Sequence, residues 1–183
     1  MKFLLVNVLF CLFATQALTQ PLYMTRNGKV SFFSKTPVEN IDAVNNEVTS
    51  LLNTATGEVA VAVLVKSFHF DRALMEEHFN ENYMESTKFP KATYNGKILN
   101  LDKINFKVSG TYPVEVGGDI TLHGVKQYQT ATGTLTVAAD KLEAAAQFTI
   151  KLADFKIQIP SLVAEKISET IEIKINCIYA PKQ

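Results

Sequence analysis

Three histidines and a run of acidic residues are the side chains in this sequence most typical of metal or acid–base chemistry. The histidines are His69, His78 and His123. No two of them stand at the HxH or HxxxH spacing that aims two imidazole rings at one metal ion. The acidic residues near His78 are Glu76, Glu77, Glu81 and Glu85. On a helix these carboxylates fall mostly on the polar side, so we predict a solvated face and no metal site.

Nucleophilic chemistry has little support in the sequence. Of the two cysteines, Cys11 lies in the apolar N-terminal run, and Cys177 stands at an apolar position of the alternating run IEIKINCIY. We predict that Cys177 is a buried, small hydrophobic side chain, without a disulfide partner. The sequence contains no GxSxG, no P-loop and no GxGxxG. We therefore predict a protein that is not an enzyme, with no catalytic residues and no cofactor.

The N-terminal residues MKFLLVNVLFCLFATQALTQ have the form of a secretory leader, because one lysine precedes an apolar run too short to span a bilayer. We predict a signal peptide at 1–19, a single domain at 20–183, and a periplasmic or extracellular location. Removing Lys2 changes the balance of 18 basic and 18 acidic residues to 17 against 18. A net charge near minus one argues against nucleic acid as a partner. We also expect no membrane segment in the mature chain, and the oligomeric state is left open.

Most of the remaining chain alternates between apolar and polar residues, which is typical of β-strands. The runs are GKVSFFS, GEVAVAVLVKSF, KATYNGKI, INFKVSGTY, GDITLHGV, GTLTVAA, AAAQFTIKL and TIEIKINC. The pairs Asn27-Gly28, Thr56-Gly57, Asn95-Gly96 and Gly117-Gly118, together with Gly133, are interpreted as turns between them. The fold class is therefore mainly β, an antiparallel barrel or sandwich of about eight strands.

Two segments interrupt this pattern. In DRALMEEHFNENYM, Met75, Phe79 and Tyr83 recur every four residues, which predicts an amphipathic helix over about 71–86. We interpret it as a lid or floor for an apolar cavity. The segment IPSLVAEKISET predicts a short helix over about 161–169, with Ser161 as its N-cap.

The order of these pieces resembles the YceI-like family of exported bacterial proteins, over about residues 24 to 180. The most specific parts are His78-Phe79, Tyr83 and Phe89-Pro90 in the helix-to-strand passage, and the pentad at 121–125, TLHGV. The resemblance implies a lipocalin-like barrel with a long apolar cavity that binds polyisoprenoids such as quinones or prenyl lipids.

The expected function is non-catalytic binding of an apolar isoprenoid lipid, quinone or fatty-acid-like lipid, as a carrier, store or scavenger. The predicted cavity-lining residues are Phe32, Val63, Phe68, Phe79, Tyr83, Ala92, Tyr94, Phe106, Phe148 and Ile173. Candidates to hold a polar head group are Tyr94, Tyr112, His78 and His123. Whether alanines such as Ala60 and Ala62 face the cavity is left open. The alternatives are a stress-protective or interaction protein whose barrel is filled by its own side chains, and an enzyme acting on a sequestered lipid.

Overall fold

The computed structural model describes residues 22–182, so the predicted signal peptide at 1–19 lies outside the described residues. Eight antiparallel strands form a closed barrel in which each strand pairs with the next and the last pairs with the first. The strands are β1 (Leu22–Lys35), β2 (Asn40–Asn53), β3 (Glu58–Leu64), β4 (Lys91–Ile98), β5 (Gly110–Leu122), β6 (Val125–Val137), β7 (Leu142–Lys151) and β8 (Thr170–Pro181). The predicted mainly-β barrel of about eight strands is confirmed.

Successive connections alternate between the two ends of such a barrel. One end carries the β2–β3, β4–β5 and β6–β7 connections, and buried side chains fill the lumen there. The core cluster at this closed end includes Leu52, Leu135, Leu142, Cys177 and Tyr179. The other end, which we call the open end, carries the longer β3–β4 and β7–β8 connections.

The strand faces follow the alternation in the sequence. On β3, Val59, Val61 and Val63 point into the lumen, whereas Ala60 and Ala62 lie on the opposite face. These two alanines therefore do not line the cavity. Small residues do face the lumen on other strands, at Ala92, Ala131, Ala144 and Ala146.

Several glycines that we interpreted as turns lie within strands. Gly96 is inside β4 and Gly118 is inside β5, where the two residues pair directly across the sheet. A Cβ atom on Gly118 would overlap the backbone of Gly96, so glycine here permits a close approach of two strands. Gly57 is a true turn residue, with a φ of +74° between β2 and β3.

Both predicted helices exist in shortened form. The first is an α-helix, α1 (Ala73–His78), which continues as a π-helix over Phe79–Tyr83. The second is reduced to a 3₁₀-helix, Ser161–Val163, followed by turns. A segment this short gains few backbone hydrogen bonds with which to offset the cost of nucleating an α-helix.

Candidate functional site

The lumen contains a cavity of about 510 Å³ that begins above the closed-end core and reaches the open end. Nine of the ten predicted residues line it. They are Phe32, Val63, Phe68, Phe79, Tyr83, Ala92, Tyr94, Phe148 and Ile173. Their contact with a ligand stays a prediction. The wall also contains residues that are not among the ten predicted ones, including Val30, Val61, Ile120, Ile150, Ile171 and Ile175. These could have been found by following the same alternation along each strand.

Phe106 does not line the cavity, which corrects its predicted position. The alternating run INFKVSGTY predicts a strand that includes Phe106, but β5 begins only at Gly110. The side chain of Asn105 accepts a hydrogen bond from the Lys107 amide at 3.0 Å, and its carbonyl accepts one from Val108 at 3.1 Å. This turn breaks the alternation, and Phe106 is half-buried and packs against the closed-end core.

Four phenylalanines form a cluster below the open end. The ring of Phe79, at the start of the π-helix, stacks on Phe32 of β1 with centroids 5.4 Å apart. Phe68 and Phe70 contact the same ring at 5.5 and 5.1 Å. Leu74 and Met75 of α1 also line the cavity. The helical segment therefore covers part of the opening, in the position of a lid.

Polar side chains line the cavity mainly where it opens. Arg72 forms an ion pair with Glu39, which ties the start of the helical segment to the β1–β2 turn. His78 and Lys166 are exposed and also lie on the cavity wall. A polar head group at this end could therefore meet charged and hydrogen-bonding groups while its apolar tail remains inside.

Two tyrosine hydroxyls on the cavity wall, those of Tyr94 and Tyr179, are bonded to other protein groups. The Tyr94 hydroxyl donates to the carbonyl of Gln129 at 3.3 Å, and burial raises the pKa of Tyr94 to about 12. The hydroxyls of Tyr179 and Ser50 lie 2.8 Å apart, and Ser50 donates to the carbonyl of Ala60 at 3.1 Å. Burial likewise raises the pKa of Tyr179. These groups are satisfied and neutral, so they offer neither an oxyanion nor a base.

Cys177 is buried beside Tyr179, as predicted for a small hydrophobic side chain. Burial raises the pKa of its thiol to about 11. The thiolate that a nucleophile or a metal ligand requires is therefore scarce near neutral pH.

His123 joins three segments at the open end. When both ring nitrogens are protonated, Nδ1 donates to the carbonyl of Phe155 at 3.0 Å and Nε2 donates to a carboxylate oxygen of Glu85 at 3.0 Å. Its ring also meets the Phe89 ring at 4.7 Å. We call the group formed by His123, Glu85, Phe89 and Phe155 the clasp. Three non-glycine residues in the described chain have a positive φ, and all of them lie in the clasp or next to it: Glu85, His123 and Lys156. His123 therefore attaches the β3–β4 and β7–β8 connections to the β5–β6 hairpin.

Of the four head-group candidates, Tyr94 and His78 line the cavity. His123 and Tyr112 do not. His123 is engaged in the clasp, and the Tyr112 hydroxyl donates to the carbonyl of Val108 at 3.0 Å. These contacts explain why neither side chain is available to a ligand in the lumen.

The acidic cluster is only partly a solvated face. Glu77 and Glu81 are exposed, as predicted. A carboxylate oxygen of Glu76 accepts a hydrogen bond from the Phe70 amide at 3.2 Å, and Glu85 belongs to the clasp. Within residues 22–182, no three His, Cys, Asp or Glu side chains are grouped in a way that could hold a metal ion. Across the same residues, no helix combines the length and apolar character needed to cross a membrane.

The geometry defines a class of protein, an eight-stranded antiparallel barrel with an apolar lumen open at one end. Solved structures share this fold. A polyisoprenoid-binding domain from Saccharophagus degradans, implicated in plant cell wall breakdown, superimposes with a TM-score of 0.76 at 16% identity, covering 89% of this chain and 99% of that one. Burkholderia cenocepacia BcnA gives 0.69 at 17% identity, covering 84% and 96%. The YCEI protein of Campylobacter jejuni gives 0.60 at 14% identity, covering 77% and 85%. At such identities the likeness shows the fold alone.

The family follows from the sequence match. The family model described as YceI-like domain matches residues 24–178, which is most of the chain. The protein belongs to the YceI-like family, in agreement with the resemblance noted from its motifs. A comparison with curated protein sequences finds no match.

Proposed function

We propose that the protein binds an apolar isoprenoid-type lipid or quinone in its lumen and acts as a non-catalytic carrier, store or scavenger of that lipid. The observation that carries the proposal is the cavity of about 510 Å³ inside the barrel. Valine, isoleucine and phenylalanine side chains form most of its wall. A barrel packed only for stability would fill this space with its own side chains. The similar domain from Saccharophagus degradans, described as polyisoprenoid-binding, supports the same ligand class.

The wall is sufficient for useful affinity without a specific polar contact. A ligand that buries ~500 Å² of apolar surface gains roughly 12 kcal/mol at ~25 cal/mol per Å². Ordering the ligand and restricting its free motion remove about half of this gain, ~6 kcal/mol. The remainder corresponds to a dissociation constant on the order of 10 to 100 μM, and a longer buried tail gives tighter binding. Selectivity would then depend on the length and width of the lumen.

Binding fits the site better than catalysis on a sequestered lipid. An enzyme of that kind needs two or three polar side chains that converge on a reacting atom. The hydroxyls of Tyr94 and Tyr179 inside the lumen are bonded to Gln129 and Ser50 instead. We place this binding function outside the cytoplasm, in keeping with the leader-like residues 1–19.

The test is to purify the protein without detergent from a bacterial host, extract it with organic solvent and identify the extract by mass spectrometry. We expect an isoprenoid or related apolar lipid at close to one molecule per protein. Delipidated protein should then take up a long-chain quinone in a titration that saturates. A protein that carries no lipid and takes up neither a quinone nor a prenyl lipid would remove the basis of the proposal.

A further inference from the structure

Three exposed aliphatic side chains surround the opening of the cavity. Val38 stands in the β1–β2 turn, Leu74 in α1 and Leu162 in the β7–β8 connection, with 59%, 61% and 95% of their surface exposed. We call these three residues the rim. Leu74 itself lines the cavity, and Glu39 and Val163, the chain neighbours of the other two, also line it. Each rim residue therefore lies on the cavity wall or is next in the chain to a residue that does.

The form of the rim suits a lipid surface better than a protein. A stable protein interface buries ~800 Å² on each partner in one well-packed patch. The rim instead consists of single side chains on three separate connections. A bilayer interface accepts such side chains individually, because the headgroup region deforms around each one.

The charges around the rim indicate which lipid surface is favoured. The open-end connections, residues 36–39, 65–90, 123–124 and 152–169, contain five Lys or Arg and nine Asp or Glu, an excess of four negative charges. Anionic lipids repel an acidic surface, whereas zwitterionic lipids do not.

We propose that the rim docks the open end of the barrel on a zwitterionic phospholipid bilayer, and that the apolar ligand passes between bilayer and lumen at that contact. The second part rests on the proposed binding function. Docking shields the ligand from water during transfer, since its apolar surface leaves one hydrophobic environment and enters another directly.

Sedimentation with vesicles tests the docking. The rim variant is Val38→Ser with Leu162→Ser, and the matched control is Leu99→Ser with Val108→Ser, whose side chains are 55% and 52% exposed at the closed end. We expect the unchanged chain and the control to bind phosphatidylcholine vesicles. The rim variant should bind about tenfold more weakly, since two inserted aliphatic side chains are lost. Adding phosphatidylglycerol should reduce binding, and the reduction should fade at high salt.

Ligand uptake tests the transfer. A quinone probe carried in phosphatidylcholine vesicles should enter the rim variant more slowly than the control. The same probe added from ethanol, without vesicles, should reach the same equilibrium occupancy in both. Docking is overturned if no form binds vesicles, if the rim variant binds as well as the control, or if anionic lipid strengthens binding. A dimer of the unchanged chain that the rim variant converts to a monomer would overturn it in favour of a second copy as the occupant.

The two proposals fail separately. If no form takes up the probe from ethanol, the binding function is wrong, while vesicle sedimentation still decides the docking. If every form takes up the probe from ethanol and the rim variant matches the control with vesicles, only the docking is wrong.

Discussion

Replacing Ala92 with phenylalanine should fill part of the lumen and displace an apolar ligand. Ala92 lies on β4, lines the cavity and pairs with Val63 of β3. Phenylalanine brings roughly six additional carbon atoms into the space that a ligand would otherwise occupy. At ~0.8 kcal/mol for each CH₂ that the ligand no longer buries, the gross loss is about 5 kcal/mol.

The measured loss should be smaller, because the ligand can shift along the lumen and neighbouring side chains can repack. If half of the gross loss remains, about 2.5 kcal/mol, the dissociation constant for a long-chain quinone rises about 70-fold. The assay is a binding titration on delipidated protein. The thermal stability of the variant should be measured as well, because overpacking lowers the free energy of unfolding by about 1–3 kcal/mol where space is short.

The matched control is Ala62→Phe on β3. Ala62 lies on the outer face of the barrel and pairs with Thr93, next to Ala92 in the β3–β4 register. Its enlargement should leave the dissociation constant unchanged. An unchanged constant for a folded Ala92→Phe variant, or an equal loss in the control, would refute the argument that the ligand occupies the lumen.

Four further predictions concern the open end, the closed end and, in two cases, the helical segment. Substituting His123 by Ala removes both hydrogen bonds of the clasp, so the free energy of unfolding in urea should fall by about 1–3 kcal/mol; no change would show that the clasp is unimportant. The thiol of Cys177 has a pKa raised from 9.0 to about 11 in the folded protein. The unfolded chain therefore loses this proton first as the pH rises above about 9, and stability should fall by on the order of 2 kcal/mol between pH 9 and pH 11. Cys177→Ala should flatten this part of the pH–stability profile, and an unaltered profile would contradict the assignment. Phe79→Ala should lower both thermal stability and quinone affinity, because it removes the ring stacked on Phe32. Glu77→Gln, at an exposed position, should change the free energy of unfolding by less than about 0.5 kcal/mol; a large effect on binding would revive a reactive role for the acidic cluster.

Strands with unbroken alternation could be predicted from the sequence. The run KATYNGKI coincides with β4, Lys91–Ile98, and TIEIKINC lies within β8. In both strands, alternate side chains suit a buried face. In β8 the intervening side chains also suit a face exposed to water. Such local patterns survive folding because every strand must bury one face against the same lumen.

The strand β2 was not predicted, since its inward positions do not alternate simply. Its buried residues are Ala43, Asn45, Val48, Ser50 and Leu52. The spacing changes from two to three between Asn45 and Val48, where β1 and β2 shift register. A bulge of this kind moves the apolar face by one residue. The polar side chain of Asn45 is satisfied by donating to the carbonyl of Leu64 at 2.8 Å, a contact between distant residues that no local pattern reveals.

The sequence by itself determined which side chains share a face of the strands that alternate without a bulge, because the period of an extended backbone is fixed by its covalent geometry. It also determined that one amphipathic segment, with Phe79 at its centre, interrupts the strands. Only the tertiary structure decided that β8 returns to β1, that the valine face of β3 is the inner one, and that about 510 Å³ remains unfilled. The same holds for the clasp of His123 with Glu85, 38 residues apart. These features depend on the curvature and closure of the whole sheet, which are properties of all eight strands together.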